Sequence, residues 1–174
     1  MVHEVEVAGM GVDSESQAPV LLLRQKYGTE SVPVIIGLFE ASSIVMALKD
    51  EDPKRPMTHD LFSVFIKQVG MSVEKVVIHD LQNGVYFASI YYKNKGSDSF
   101  FSDARPSDAV ALALRFDAPI FIEEQVLQQA KKTFTLEVDE SFEKAEIADT
   151  SDQGRKWAEY LKNLSPDEFG KYKV

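Results

Sequence analysis

The chain contains no cysteine. That excludes a disulfide scaffold and thiolate chemistry, so the fold must rest on an apolar core and on hydrogen bonds. Positive charge is scarce as well: 19 Lys and Arg stand against 28 Asp and Glu, a formal net charge of −9. The deficit is spread along the chain, with 18 acidic and 13 basic residues in residues 1–132 and 10 against 6 in residues 133–174. Unassisted nucleic-acid binding depends on Lys and Arg displacing counterions from phosphates, and this balance leaves few to spare. Two unit charges 4 Å apart interact by about 1 kcal/mol in water and about 4 kcal/mol at an effective dielectric near 20. A phosphate approaching these carboxylates therefore needs a local arginine cluster or a bound cation. Long apolar runs are missing too. No stretch approaches the roughly 20 apolar residues of a membrane span, and Met1-Val2-His3-Glu4-Val5 lacks the basic and apolar segments of an export signal. The expectation is a cytoplasmic protein that does not enter membranes. No P-loop, Rossmann glycine motif, HExxH, zinc-finger spacing or nucleophile elbow occurs, so hydrolysis through a covalent enzyme intermediate is a poor expectation.

What is present is enough for one packed core: 174 residues, 44% of them hydrophobic. Val5 and Val7 alternate with Glu4 and Glu6, the period of a half-buried strand, which Gly9 and Gly11 end or bulge. Ala18 to Arg24 reads as a second strand and Val32 to Ile36 as a third, with Pro33 suited to a strand start or an edge. Gly37 then releases a helix from Phe39 to about Lys49. Thr58 is a suitable N-cap for a second helix, whose apolar stripe is Leu61, Phe62, Phe65, Ile66 and Val69 and which Gly70 closes. Val73 to Leu81, Val85 to Lys93 and Ser99 to Asp103 read as three more strands, with a hairpin turn at Asn83-Gly84. A third helix opens at Pro106, whose fixed φ and missing N–H suit a first turn. Pro119 to Ile122 is a brief strand and Glu123 to about Lys132 a last helix. Three strands leading into a helix occur twice. The fold class expected is α+β: duplicated β-β-β-α units forming mostly antiparallel sheets, two of them related by a pseudo-twofold, with helices packed between or against them. The expected domain is residues 1–132, followed by an acidic, partly helical tail over residues 133–174, in which Trp157, Tyr160, Leu161 and Leu164 fall at helical spacing.

The densest chemistry is Asp103-Ala104-Arg105-Pro106-Ser107-Asp108-Ala109, at the joint between strand and helix. A helix N-terminus favours an anion, either the Asp108 carboxylate or a ligand's phosphate. One reading is a structural clamp in which Arg105 bridges Asp103 and Asp108. The other is a site in which the carboxylates hold a divalent cation and Arg105 contacts a phosphate. Magnesium needs only one or two carboxylates plus waters. Arg55-Pro56-Met57-Thr58-His59-Asp60 repeats the pattern and adds a histidine at a helix start, where the dipole disfavours its charged form and leaves it available as a base or ligand. Glu40 occupies the same place in the first helix. If the three helix starts converge, Glu40, Asp60, Asp103 and Asp108 make one acidic site beside His59. His3 and His79 lie in strand patterns and read as structural or solvated.

The ordered set Pro33-Val34-Ile35-Ile36-Gly37, Glu40-Ala41, Arg55 to Leu61, Asp103 to Ala109 and Ala118-Pro119-Ile120-Phe121 resembles the bifunctional nuclease domain family from Met1 to about Lys132. The resemblance implies an α+β fold of duplicated β-rich units and nuclease activity on RNA and DNA. Many members carry a further domain of the kind that mediates contacts in excision repair, which the tail here does not resemble. On the positions that match these motifs, the candidate catalytic residues are Asp103, Arg105, Asp108, His59, Asp60 and Arg55. Asp103, Asp108 and Glu40 are the candidate ligands of a divalent metal, magnesium or manganese, that would activate a water. The partners expected are a nucleic-acid substrate and, from the amphipathic tail and exposed strand edges, a second copy in a homodimer. The competing expectation is a non-catalytic binding or assembly domain whose Asp-Arg-Asp motif is a clamp.

Overall fold

The computed structural model describes residues 1–13, 16–50, 53–94 and 99–133. The stripe at Trp157, Tyr160, Leu161 and Leu164, and the rest of the tail beyond Thr133, lie outside them. Strands β1 (Val2–Val12), β2 (Pro19–Gln25) and β3 (Ser31–Ile35) lead into α1 (Leu38–Leu48) and α2 (Thr58–Gln68). Strands β4 (Met71–Gln82), β5 (Val85–Asn94) and β6 (Ser99–Ala104) lead into α3 (Pro106–Arg115), and β7 (Ile120–Glu123) and α4 (Glu124–Thr133) follow. The fold is α+β, and the two β-β-β-α units stand as expected.

The expectation of two sheets is corrected by the topology. All seven strands belong to one sheet in the order β3-β2-β1-β7-β4-β5-β6. The short strand β7 is the splice: it pairs antiparallel with β1 and parallel with β4, so the two meanders become continuous. Its four residues, Ile-Phe-Ile-Glu, carry too few positions to signal two partners by pattern. Pro33 sits in edge strand β3, where its missing N–H costs no ladder bond. Asn83 and Gly84 both take positive φ, 52° and 80°, the geometry that a tight two-residue hairpin between right-twisted strands requires. The pairing of β1 with β2 shifts between Val7 and Gly9, so Ala8 is the extra residue of a bulge beside Gly9 and the strand runs on to Val12. The sheet curls far enough for the buried Tyr86 hydroxyl on β5 to donate to the Pro33 carbonyl on β3, at 2.9 Å.

Leu21, Leu23, Ile44, Ile78, Leu112, Ile122 and Leu127 are fully buried between sheet and helices. Burying each such side chain stabilises by about 1.5–3 kcal/mol relative to leaving it exposed. Helix α3 is the centre of the packing, with Ala109, Val110, Ala111, Leu112 and Ala113 all buried against β4, β5, α1 and α2. Three alanines on one helix let these neighbours approach its backbone closely.

Helix α2 departs from the pattern read in its sequence. Of its apolar stripe only Ile66 is buried, while Leu61, Phe62, Phe65 and Val69 are exposed, with Val64 beside them. The helix is turned so that His59, Asp60 and Ser63 face inward, where they satisfy hydrogen bonds that the stripe could not. Its cap also differs: Met57 is the N-cap and Thr58 the first helical residue, and the Asp60 carboxylate accepts the Met57 N–H at 2.9 Å.

Candidate active site

Three helix starts each carry an acid in the first turn: Glu40 on α1, Asp60 on α2 and Asp108 on α3. The fold brings them together through two arginines. Arg105, the N-cap of α3, donates from Nε to Asp108 Oδ2 at 2.7 Å, and from Nη2 to Asp108 Oδ1 at 3.0 Å and to Glu40 Oε1 at 2.7 Å. His59 Nε2 lies 3.1 Å from Asp108 Oδ1 and His59 Nδ1 lies 2.9 Å from Ser43 Oγ. Arg115, at the other end of α3, donates to Ser43 Oγ at 3.0 Å, to the Ala111 carbonyl at 2.8 Å and, from Nε, to Asp60 Oδ1 at 2.6 Å. The result is one continuous line, Glu40–Arg105–Asp108–His59–Ser43–Arg115–Asp60, across three helices.

The hydrogen-bond partners fit one neutral tautomer of His59. With its proton on Nε2 toward Asp108, Nδ1 accepts the Ser43 hydroxyl proton, and Ser43 Oγ accepts from Arg115. Partial burial works against the charge on Asp108, but hydrogen bonds from Arg105 and then from His59 outweigh it and hold the carboxyl below its ordinary range. The same hydrogen bond and charge of Asp108, joined by Glu40, raise the Arg105 pKa further and keep the guanidinium protonated.

The two arginines live in different surroundings. The Arg115 side chain is 11% exposed and that of Arg105 is 66% exposed. Arg115 is therefore a buried tie between α1, α2 and α3. Arg105 is anchored through Nε and Nη2, and no described residue accepts from its Nη1. It stands at the wall of an open cleft of about 280 Å³ lined by Ile36 and Gly37 before α1, Gly84 and Tyr86 at the hairpin, and Pro106 and Ser107 of α3. Gly37 shapes this end of the line, because a Cβ there would overlap Glu40 Oε2.

Two candidates fall outside the line. Asp103 is exposed on β6 opposite Ser89, so the expected bridge from Arg105 to Asp103 is replaced by one to Glu40. On extended backbone Asp103 lies two residues, about 6.6 Å, before Arg105, whereas the first helical turn carries Asp108 back over the guanidinium. Arg55 is exposed in the segment before α2. Among the described residues no three His, Asp or Glu side chains are grouped to hold a metal ion. Both Asp108 oxygens and one Glu40 oxygen already take N–H donors, so the carboxylates fit guanidinium as they stand, and a divalent cation would have to displace Arg105. Ser43 and Arg115 escaped the sequence reading. Arg115 lies seven residues, two helical turns, beyond Asp108, and that spacing on one face was the available signal.

An α+β domain with paired meanders and this charged line at its helix starts defines the class. The sequence profile of the bifunctional nuclease domain matches residues 21–135, and the chain belongs to that family. An uncharacterised protein of Mycobacterium tuberculosis is 42% identical over 166 residues, covering 95% of this chain and 97% of its own length. Bifunctional nuclease 2 of Oryza sativa subsp. japonica is 29% identical over 115 residues, and Bifunctional nuclease 2 of Arabidopsis thaliana 30% identical over 103 residues. The matched regions are 35% and 31% of those two plant proteins. No helix among the described residues is long and apolar enough to cross a membrane.

Proposed function

We propose that the protein is a nuclease that acts on RNA or DNA phosphodiesters, with Arg105 as its phosphate-binding residue. The observation that carries this reading is the anchored guanidinium: two of its nitrogens are fixed by Asp108 and Glu40, and the side chain, 66% exposed, lines an open cleft. A donor held in place before substrate arrives stabilises developing phosphate charge without reorganising at the moment of reaction. Membership of a family named for nucleases supports the substrate class. Asp108 orients His59, the proton-handling group nearest to Arg105, and Asp60 acts through Arg115 to position Ser43 behind it. Asp103 and Arg55, both exposed, contact the substrate chain beyond the cleft in this reading.

Magnesium or manganese belongs to the proposal as a component to be tested, through Glu40, Asp108 and Asp103. No step is assigned to it, because binding there competes with Arg105. We place the protein in the cytoplasm on its lack of cysteine, and we assign the outward apolar face of α2 to contact between two copies. The test is cleavage of labelled single-stranded RNA and DNA by purified protein, with magnesium, with manganese and with chelator. Cleavage that falls sharply in Arg105→Ala, Asp108→Asn and His59→Ala supports the site. Cleavage unchanged in all three removes it.

A second reading has its own observation. Each carboxylate of the line takes at least one arginine donor, as in a clamp that holds three helices for a binding or assembly role. It predicts no cleavage under any metal condition and a large loss of stability in Arg105→Ala.

A further inference from the structure

Strand β6 lies at the edge of the sheet, and its residues alternate between the two faces. Phe101 and Asp103 share one face of it, and two residues on, just past its end, the extended N-cap Arg105 turns its guanidinium to Asp108 and Glu40. Pairing sets three rows across β4, β5 and β6. Lys93 pairs with Ser99. Lys75 pairs with Tyr91, and Tyr91 with Phe101. Val77 pairs with Ser89, and Ser89 with Asp103. In the middle row the Tyr91 and Phe101 rings lie 5.9 Å apart with planes 31° apart, and Lys75 Nζ sits 4.8 Å from the centre of the Tyr91 ring. Phe101 is 71% exposed. The next row offers the small buried Ser89 and the exposed Asp103, which makes a shallow step between the aromatic pair and Arg105.

We propose that this face is a base-stacking platform for single-stranded nucleic acid: a base lies on Phe101 and Tyr91, Asp103 accepts from an exocyclic base amine, and the chain's phosphate reaches Arg105. The inference rests on the nuclease reading and adds a substrate form and a subsite to it. Four residues of extended strand place Phe101 about 13 Å from Arg105, a span of a few nucleotides. Stacking suits an acidic protein because every base presents a π face whatever its charge environment, while a duplex hides those faces. Two lysines and one acid lie along these rows, so the local balance is positive where the whole chain is at −9. The platform also gives Asp103 a task, since a carboxylate accepts from the cytosine amine and thymine has none to offer.

The test is fluorescence anisotropy of the full chain with labelled 12-nucleotide oligo(dC), oligo(dT) and a 12-base-pair duplex, in chelator, with the probes checked intact afterwards. Single strands should bind more tightly than duplex. Phe101→Ala should weaken both single strands by about 5- to 160-fold, Phe101→Tyr should restore them, and Phe100→Ala, on the opposite face of β6, should bind as wild type. Asp103→Asn should weaken oligo(dC) and leave oligo(dT) unchanged. With Lys75, Lys93 and Arg105 as the phosphate contacts, the logarithmic salt slope should be about −2. Unchanged binding in Phe101→Ala alongside loss in Arg105→Ala overturns the platform and leaves the nuclease reading standing. Equal losses in Phe100→Ala and Phe101→Ala overturn the platform as well. A wild-type protein that binds no probe overturns both.

Discussion

Replacing each arginine of the line by methionine separates its structural end from its functional end. Methionine keeps apolar bulk and removes the charge. Arg115 is 11% exposed and its partner Asp60 22% exposed, so Arg115→Met strands a carboxylate in a largely dry setting. Breaking a buried pair in this way costs about 3–5 kcal/mol. In a chain of 174 residues each kcal/mol lowers the melting temperature by about 2–4 °C, so the expected drop is about 6–20 °C. Arg105 is 66% exposed, its partners Asp108 and Glu40 are 28% and 17% exposed, and each of its two ion pairs contributes about 1 kcal/mol or less at so exposed a cation. Arg105→Met should therefore cost up to about 2 kcal/mol, a drop of up to about 8 °C. Thermal unfolding followed by far-ultraviolet circular dichroism gives both values. Adding Asp60→Asn to Arg115→Met removes the stranded charge but keeps an acceptor for the Met57 N–H, and should recover most of the loss. If Arg105→Met costs as much as Arg115→Met, the outer arginine is a clamp like the inner one, and its assignment to phosphate loses its basis.

Acid titration probes the same residues. Because the folded pKa of Asp108 is depressed, its stabilising contribution is fully present above the ordinary aspartate value near 4 and is lost as pH falls through the lower folded value; Asp108→Asn should flatten that part of a stability-against-pH curve. Gly37→Ala should push the Glu40 carboxylate away from Arg105 and change cleavage as Glu40→Gln does, whereas a wild-type rate would show that this contact is idle. Leu112→Ala, at the fully buried centre of α3, should cost about 2–5 kcal/mol in urea denaturation. Phe65→Asp, on the exposed face of α2, should leave the melt nearly unchanged and, if two copies meet there, halve the mass measured by light scattering.

Local order was largely legible in the sequence because it depends on local causes. Proline at the start of α3, two positive-φ residues at the β4–β5 hairpin and alternation in β1 each act within a few positions. The splice at β7 and the outward turn of α2 depend on partners far away in the chain, and the apolar stripe of α2 gave the wrong face because polar contacts to α3 decided its rotation. The candidate site was legible to the same degree. Glu40, His59, Asp60, Arg105 and Asp108 stood out as charges at helix starts, and they do meet. Ser43 and Arg115 did not stand out, since a serine within a helix and a basic residue in a last turn are ordinary there. Which carboxylate Arg105 would choose, Glu40 from 65 positions away or Asp103 from two, was settled only by the packing of α1 on α3.

The most direct measurement of the central claim is cleavage of a labelled single-stranded RNA by wild type, Arg105→Ala and Arg115→Met, each at a temperature where it is fully folded. Wild type should cleave, Arg105→Ala should lose most activity while remaining folded, and Arg115→Met should lose stability ahead of activity. Full activity in a folded Arg105→Ala protein would contradict the account.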